Sequence, residues 1–243
     1  MPITNLKNDL QKLANIKQAE VLQHFFKTGK GEYGEGDIFL GIKVPEQRKI
    51  VKKYKDLDIK NVEKLLKSKI HEHRLVAILI LVLKYTKGDD KLKKQIYNVY
   101  LKNTKYINNW DLVDLSAPNI VGDYLFSHPL SVSSSGRRRG RDVLYKLAKS
   151  KSLWERRIAV LATFTFIRNN DFKDILKLAE LLLSDTHDLM HKAVGWMLRE
   201  MGKRDQKLLE KFLDKNIRKM PRTMLRYSIE KFDEEKRQYY LKK

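Results

Sequence analysis

The centre of the chain combines an indole with two carboxylates in a stretch that is poor in Lys and Arg. It runs from Asn108 to Pro118 and contains Trp110, Asp111 and Asp114. Trp110 and Asp114 are four residues apart, so on a helix they share a face. A carboxylate can stabilise a developing positive charge or orient a water molecule, and an indole can contact a sugar or base. We predict that Asp114 carries the chemistry and that Asp111 serves only the start of a helix.

The rest of the chain is strongly basic. Its 243 residues include 51 Lys+Arg against 30 Asp+Glu, a formal net charge of +21. This surplus favours a nucleic-acid partner or an anionic membrane surface, although a generally lysine-rich proteome would also produce it. In such a chain Asp114 is either functional or a local cap or ion-pair partner.

Two function classes are excluded or disfavoured by composition. The chain has no cysteine, which excludes disulfides, thiol catalysis and Cys-ligated zinc or iron–sulfur sites. No apolar run approaches the ~20 residues of a membrane span, and the N-terminus lacks the apolar region of a signal peptide. We therefore expect a soluble, cytoplasmic protein without membrane contact.

Apolar residues recur at helical spacing along most of the chain, and no segment alternates convincingly as a strand does. The pattern predicts helices over 3–28, 45–54, 59–68, 71–87, 89–103, 110–126, 141–149, 153–169, 171–184, 186–201, 205–214 and 220–231. Short polar connections between them suit antiparallel helix pairs.

Two loops and one helix start could bind phosphate. The glycine-rich loop 28–37 lacks the Gly-Lys-Ser/Thr of a P-loop, and its acids would repel an anion. The Ser/Gly/Arg loop 131–141 is expected to be flexible, and it either grips phosphates or is merely solvated. A helix beginning near Pro45, with Lys43 and Arg48 beside its first amides, could hold a backbone phosphate, although an ordinary capped helix explains it as well.

Five short segments resemble one another, each opening a helix after a polar loop. They recur at roughly 30–43 residues, the period of helical-hairpin arrays in which each unit packs on its neighbours. Equivalent positions in such arrays line up along one face, and here we align Arg74, Asp114, Arg157, Lys192 and Arg222. Such a row of bases suits a duplex backbone, and Asp114 is its one acid.

At these residues the sequence closely resembles the AlkD-type DNA alkylation-repair glycosylases. The ordered set covers about residues 38–230, and it is far more specific than any one motif. The matching pieces are Phe39-Leu-Gly-Ile-x-x-Pro-Glu-x-Arg48, Trp110-Asp-x-Val-Asp114, Gly122-Asp123, Trp154-x-x-Arg157 and Lys192-Ala-Val-Gly-Trp196-x-Leu-Arg199-Glu200.

The resemblance implies an all-α fold, a single HEAT-like helical-repeat superhelix (α-solenoid) over 1–243 with a concave basic face that holds duplex DNA. The implied reaction is hydrolysis of the N-glycosidic bond of cationic N3- or N7-alkylated purines, which leaves an abasic site. The lesion can remain stacked in the duplex, unlike the flipped base of most glycosylases. We expect a monomer that needs no metal or redox cofactor.

The resemblance also implies roles for individual residues. Trp110, Asp114 and Trp196 match positions that contact the deoxyribose of the lesion, and Arg157 matches an arginine on the catalytic face. Further cations match or adjoin the DNA-contacting surface: Lys43, Arg48, Arg74, Lys192 and Arg199. The repeat alignment adds Arg222 to this set.

One departure from the family concerns the N-terminal aromatic residues. In the family's best-known members an aromatic helix runs almost directly into Phe-Leu-Gly-Ile and helps to engage the lesion. Here the glycine-rich loop separates Phe25 and Phe26 from Phe39, which leaves nucleobase engagement open. Two other functions therefore stay under consideration: a non-catalytic helical-repeat module that binds DNA or structured RNA, and a scaffold for an acidic protein.

Overall fold

The computed structural model describes residues 2–128 and 140–243 and is helical in both ranges. It confirms the predicted all-α, HEAT-like helical-repeat fold. The one β-type pairing among the described residues is an isolated parallel bridge between Ile38 and Ile70. No helix in these ranges is long and apolar enough to cross a membrane. Most of the predicted Ser/Gly/Arg loop, 131–139, lies outside the described residues.

The chain divides into two compact units, Met1–Ser116 and Ala117–Lys243. Helices of the first unit are α1 (Ile3–Lys12), α2 (Ile16–Phe25), α3 (Val44–Lys53), α4 (Ile59–Leu66), α5 (His71–Lys87), α6 (Asp90–Lys102) and α7 (Trp110–Ser116). A short 3-10 turn, Thr104–Tyr106, precedes α7. The helix predicted over 3–28 is broken into two because the Asn15 side chain accepts a hydrogen bond from the Gln18 amide and caps α2.

Helix α5 is the centre of the first unit. Helices α3, α4, α6 and α7 pack against it, and every residue from position 71 to position 81 is buried. An apolar run without a polar stripe is what a helix surrounded on all sides requires. The buried N-terminal residues of α5 are nevertheless polar, namely His71, Glu72, His73 and Arg74.

The second unit opens with a π-helical segment, Ala117–Gly122, in place of the continuous helix predicted over 110–126. Pro118 has no amide hydrogen to continue an α-helix, and the Thr165 hydroxyl donates to its carbonyl at 2.7 Å. The helices that follow are α8 (Asp123–Ser127), α9 (Asp142–Ala148), α10 (Leu153–Arg168), α11 (Lys173–Leu181), α12 (Asp188–Gly202), α13 (Gln206–Asn216), α14 (Arg222–Ser228) and α15 (Glu234–Lys242). A 3-10 turn, Ile217–Lys219, precedes α14, and α15 was not predicted.

Helices α10 and α12 form the core of the second unit. Helices α9 and α11 and the π-helical segment pack on α10, whereas α13 and α14 pack on α12. Gly195 permits the close approach of α12 and α14, since a Cβ atom there would lie 2.6 Å from the Met224 carbonyl oxygen.

The repeated segments all lie at helix starts, as predicted, but two positions of our alignment do not fit. Arg222 is the first residue of α14, whereas Asp114, Arg157 and Lys192 are each the fifth residue of their helix. Arg74 donates to the carbonyls of Ser68 and Lys69, and Arg156 donates in the same way to those of Ser150 and Lys151. Each arginine is the fourth residue of its helix. Arg74 therefore corresponds to Arg156, which removes it from the row that contains Asp114, Arg157 and Lys192.

Arg141, the last residue of the predicted Ser/Gly/Arg loop, is a structural residue. It is buried, and its guanidinium pairs with Asp171 at 2.8 Å and with Asp174 at 2.5 Å. The guanidinium also lies 3.9 Å from the ring centre of Phe166. Arg141 thus anchors the start of α9 and has no charge left to offer a phosphate.

Candidate functional site

Trp110 begins α7 and is half-buried. Its indole stacks on Phe26, with ring centres 5.2 Å apart and planes 15° apart, and Phe26 stacks in turn on Phe39 at 5.0 Å. Phe25, which is 60% exposed, meets Trp110 edge-on at 6.0 Å. The glycine-rich loop therefore separates the aromatic residues along the chain but not in space.

Asp114 lies one turn after Trp110 on α7 and is half-buried. Beneath it, the hydroxyl of the fully buried Tyr100 lies 2.9 Å from Ser116 Oγ, which also contacts the Leu112 carbonyl at 2.5 Å. Burial raises the pKa of Tyr100, and the nearby charge of Asp114 adds to the rise. The phenol therefore stays neutral at physiological pH.

A buried ionic cluster lies behind the start of α7. His71 Nε2 is 2.8 Å from Asp111 Oδ2, and His71 Nδ1 is 3.0 Å from Asp37 Oδ2. Arg74 Nη2 donates to both carboxylate oxygens of Asp37, at 2.6 and 2.7 Å. We call Asp37, His71, Arg74 and Asp111 the buried ion cluster. It joins the glycine-rich loop, α5 and α7.

The carboxylates of the buried ion cluster keep His71 protonated. Burial opposes the positive charge, but Asp111 and then Asp37 outweigh it and raise the pKa of His71 to about 9. Burial likewise opposes the charge of Asp37, yet its contacts with His71 and Arg74 hold the pKa of this carboxyl below its usual value. The cluster thus combines two basic and two acidic side chains, which offset one another.

Two side chains connect this cluster to the backbone of α7. Asn109 is fully buried, donates to Asp37 Oδ2 at 3.4 Å and accepts from the Trp110 amide at 2.8 Å. Asp111 accepts from the Leu112 amide at 2.8 Å with its second oxygen. Asp111 therefore has the predicted role at the helix start and also a second, unpredicted role as the partner of His71.

The loop before α3 is closed to phosphate by a side chain. Glu72 is buried and accepts the amides of Leu40, Gly41 and Ile42 at 2.9, 2.8 and 3.2 Å. Gly41 adopts φ +83°, and a Cβ atom there would lie 2.1 Å from the Asn15 carbonyl oxygen, so only glycine fits. Lys43, the N-cap of α3, is exposed and leaves the helix start accessible.

The glycine-rich loop is likewise no phosphate cradle. Glu32 accepts the amide of Gly29 and Glu35 accepts the amide of Gly31, both at 2.9 Å. The loop's own acids thus take the donors that a phosphate would need. Arg48, on α3, is exposed.

In the second unit Lys192 and Trp196 lie one turn apart on α12, and both are half-buried. The Trp196 ring is 6.0 Å from Phe164, and Lys192 pairs with Asp188 at 2.8 Å. The other two predicted cations are Arg199, which pairs with Glu230 and Glu200, and Arg222, which is exposed and donates to the Leu241 carbonyl at 2.7 Å.

Arg74 and Arg157 have contacts other than those predicted. Arg157 is 5% exposed, and its guanidinium donates to the Leu189 carbonyl at 2.6 Å. Arg74 is 3% exposed and belongs to the buried ion cluster. A phosphate could reach Arg74 only by displacing Asp37, so neither guanidinium lies on the surface of its unit.

Sequence reasoning missed Asp37, His71 and Asn109. A usable signal was present: four polar residues, His71 to Arg74, come directly before the longest apolar run. Four polar side chains that precede a fully buried helix segment must find buried partners.

Comparison with known proteins agrees with this architecture. The sequence profile of the DNA alkylation repair enzyme family matches residues 6–232. No curated protein sequence matches the chain significantly. A solved structure described as a predicted DNA alkylation repair enzyme from Enterococcus faecalis has the same fold, with a TM-score of 0.68 at 14% identity over 91% of this chain and 97% of its own. Since the family profile spans nearly the whole sequence, the chain belongs to the DNA alkylation repair enzyme family.

Proposed function

We propose that this protein is a monofunctional DNA glycosylase that hydrolyses the N-glycosidic bond of cationic N3- or N7-alkylated purines in duplex DNA. The observation that carries the proposal is the accessible pair Trp110 and Asp114 on one turn of α7, in a basic chain of a DNA alkylation repair family. The product is an abasic site, and no metal or redox cofactor takes part.

The chemistry of an alkylated purine suits a carboxylate and an indole. The base already carries a positive charge, so it leaves with little help from a general acid. What remains is a sugar that resembles an oxocarbenium ion in the transition state. Asp114 stabilises this developing charge and orients the attacking water, and the indole of Trp110 offers its electron-rich face to the same cation.

In the second unit we assign contact with a DNA sugar to Trp196, a half-buried indole on α12, as the family resemblance implies. The backbone contacts are assigned to the cations with accessible side chains: Lys43, Arg48, Lys192, Arg199 and Arg222. Lys192 and Arg199 would exchange their carboxylate partners for phosphates, so affinity should fall steeply as salt is added. Arg157 supports this arrangement from inside its unit by holding Leu189 in the first turn of α12.

The test is release of 7-methylguanine from methylated duplex DNA under single-turnover conditions. Asp114→Asn should reduce the rate constant by a factor on the order of 10² to 10³, because it removes the charge at the reacting sugar. Asp142→Asn is the matched control, since Asp142 is an exposed carboxylate in the first turn of α9, and it should leave the rate unchanged. Equal, background release by wild type and Asp114→Asn refutes the proposal.

A second candidate, a non-catalytic DNA- or structured-RNA-binding protein, is favoured by one contact. One face of the Trp110 indole is stacked on Phe26 and is therefore closed to a ligand. This function predicts salt-sensitive duplex binding without base release. The assay above distinguishes the two, because only the glycosylase releases base.

A further inference from the structure

We propose that His71 is a positioning residue for the candidate active site: by bridging Asp37 and Asp111 it holds the first turn of α7 and thereby the orientation of Trp110 and Asp114. The inference rests on the function proposed above. His71 is 1% exposed and therefore acts on the reaction from behind the site. The proposal assigns a role in base release to a residue that acts only through its neighbours.

The bridge reaches the chain on both sides of Trp110, the first residue of α7. His71 Nε2 holds Asp111, the residue directly after Trp110, at 2.8 Å. On the other side of the imidazole, Asp37 accepts from Asn109, whose side-chain oxygen accepts from the Trp110 amide. The backbone on both sides of Trp110 is therefore tied to the same ring.

The imidazole also supports the indole through aromatic contacts. His71 stacks on Phe39 at 4.5 Å and lies 5.1 Å from Phe26, the ring on which Trp110 stacks. A protonated imidazole against aromatic faces is an attractive arrangement. Backbone and side chain of Trp110 are thus both positioned from His71.

Stability alone is a poor explanation for a cluster of four acidic and basic side chains, three of them buried. Replacing such a cluster by well-packed apolar residues is often neutral or stabilising, because desolvation offsets the attraction between the charges. Here the desolvated cluster lies behind the turn that carries Trp110 and Asp114. The corresponding turn at the start of α10 has a serine cap at Ser152 and a single ion pair, between Arg156 and Asp185 at 2.6 Å, in place of this cluster of four.

The bridge depends on the proton of His71. The charged groups that face the ring are Asp37 from the glycine-rich loop, Asp111 from α7 and Arg74 from α5, whose guanidinium is 3.4 Å from Nδ1. A protonated ring donates to both carboxylates, whereas a neutral ring has one N–H and leaves one carboxylate without it. Base release should therefore decline on the alkaline side with a midpoint near the His71 pKa of about 9.

The experiment measures single-turnover release of 7-methylguanine from methylated duplex DNA against pH. In His71→Gln the rate constant at neutral pH should fall on the order of 10- to 100-fold, with duplex affinity unchanged, as expected for misplaced reacting groups. Asp111→Asn keeps the shape of the acceptor but removes its charge, so the alkaline decline should move to lower pH. His24→Gln alters an exposed histidine of α2 and should leave rate and profile as in wild type.

The proposal is overturned if the alkaline decline of base release keeps its wild-type midpoint in Asp111→Asn. It is also overturned if His71→Gln releases base at the wild-type rate. If His71→Gln fails to fold, the Asp111→Asn profile decides. A second readout needs no activity: the indole N–H resonance of Trp110, assigned with Trp110→Phe, should shift along the titration of His71. If the Trp110 resonance does not shift as His71 titrates, the proposal is also overturned. Absence of base release from wild type would refute the glycosylase function, while the resonance still tests the positioning.

Discussion

Trp110 at the start of α7 is half-buried and faces a candidate site, whereas Trp154 at the start of α10 is 9% exposed and belongs to the core of its unit. The fifth residue differs in the same way, since Asp114 is half-buried and Arg157 is buried and donates to the Leu189 carbonyl. Both turns derive from the same sequence repeat.

The anchoring of the two turns differs accordingly. Helix α10 begins after Ser152, whose hydroxyl accepts from the Glu155 amide, and its first turn has one ion pair, between Arg156 and Asp185. Its tryptophan is held by packing. Helix α7 has a tryptophan that packing holds only in part, and buried ions hold its first turn from behind. Burial alone does not fix Trp110, and the buried ion cluster therefore helps to fix the first turn of α7.

The difference between the two turns is tested most directly by truncating their tryptophans, Trp110 and Trp154. Trp154→Ala should lower the free energy of unfolding by about 3–5 kcal/mol, because it empties a core site. Trp110→Ala should cost less stability but greatly reduce base release. Urea denaturation and single-turnover release measure the two effects. Equal losses of stability in both variants would contradict the distinction.

The pH dependence of stability tests the ion cluster. The folded-state pKa of His71 is raised to about 9, so its stabilisation is complete below pH 6.5, its ordinary value, and is lost as the pH rises through 9. The free energy of unfolding should therefore decline across this window by a few kcal/mol at most, and His71→Gln should remove the decline.

His73 provides the control for that measurement. Burial first, and then the charges of Lys7 and Arg74, lower the pKa of His73 to about 4, so its contribution is present above pH 6.5 and is lost as the pH falls through 4. His73→Gln should change the acidic side of the stability profile and leave the decline between pH 6.5 and 9 intact. Loss of that alkaline decline in His73→Gln would remove His71 as its source.

The fifth position of the two helices should respond in opposite ways. Arg157→Met leaves the part-buried Leu189 carbonyl without this donor and should cost about 1–3 kcal/mol in the free energy of unfolding. Asp114→Asn should change stability by less than about 0.5 kcal/mol and act on base release instead. Urea denaturation of both variants checks the contrast, which fails if Asp114→Asn is the less stable of the two.

The last comparison concerns the side chains that cap the two helices. Ser152→Ala removes one side-chain acceptor and should cost about 1 kcal/mol. Asn109→Ala should cost more than this, because it also breaks the contact with Asp37 and leaves a buried carboxylate with one donor fewer. Thermal unfolding ranks the two, and the reverse order would indicate that Asn109 is only an ordinary cap.

The fold was largely predictable because helical periodicity is a local property. The expected ranges of α5, α10 and α12 agree with the structure to within two residues at each end. The π-helical segment at Pro118 was missed because it depends on how a proline inside a helical pattern is accommodated. The register of the repeat was missed at Arg74 because one residue along a helix turns a side chain by about 100°.

The candidate site was predictable only where its residues are close in sequence. Trp110 and Asp114 were found because their spacing of four residues defines a helix face. The partners of His71 lie 34 residues before it and 40 residues after it, and nothing in the intervening sequence indicates that they meet. Contacts at such separations follow from the packing of whole helices.

The sequence by itself determined the helical class, the basic charge, the family motifs and the acid-and-tryptophan turn of α7, because each follows from residue type and short spacing. The tertiary structure decided which charges are available. It placed Arg74, Arg141 and Arg157 inside their units and left Lys43 and Arg48 exposed, although these are all basic residues beside helix starts or on helices. Burial depends on the neighbours that packing supplies. Packing places Asp37 and Asp111 on either side of a protonated histidine and leaves Asp114 half-buried one turn after Trp110.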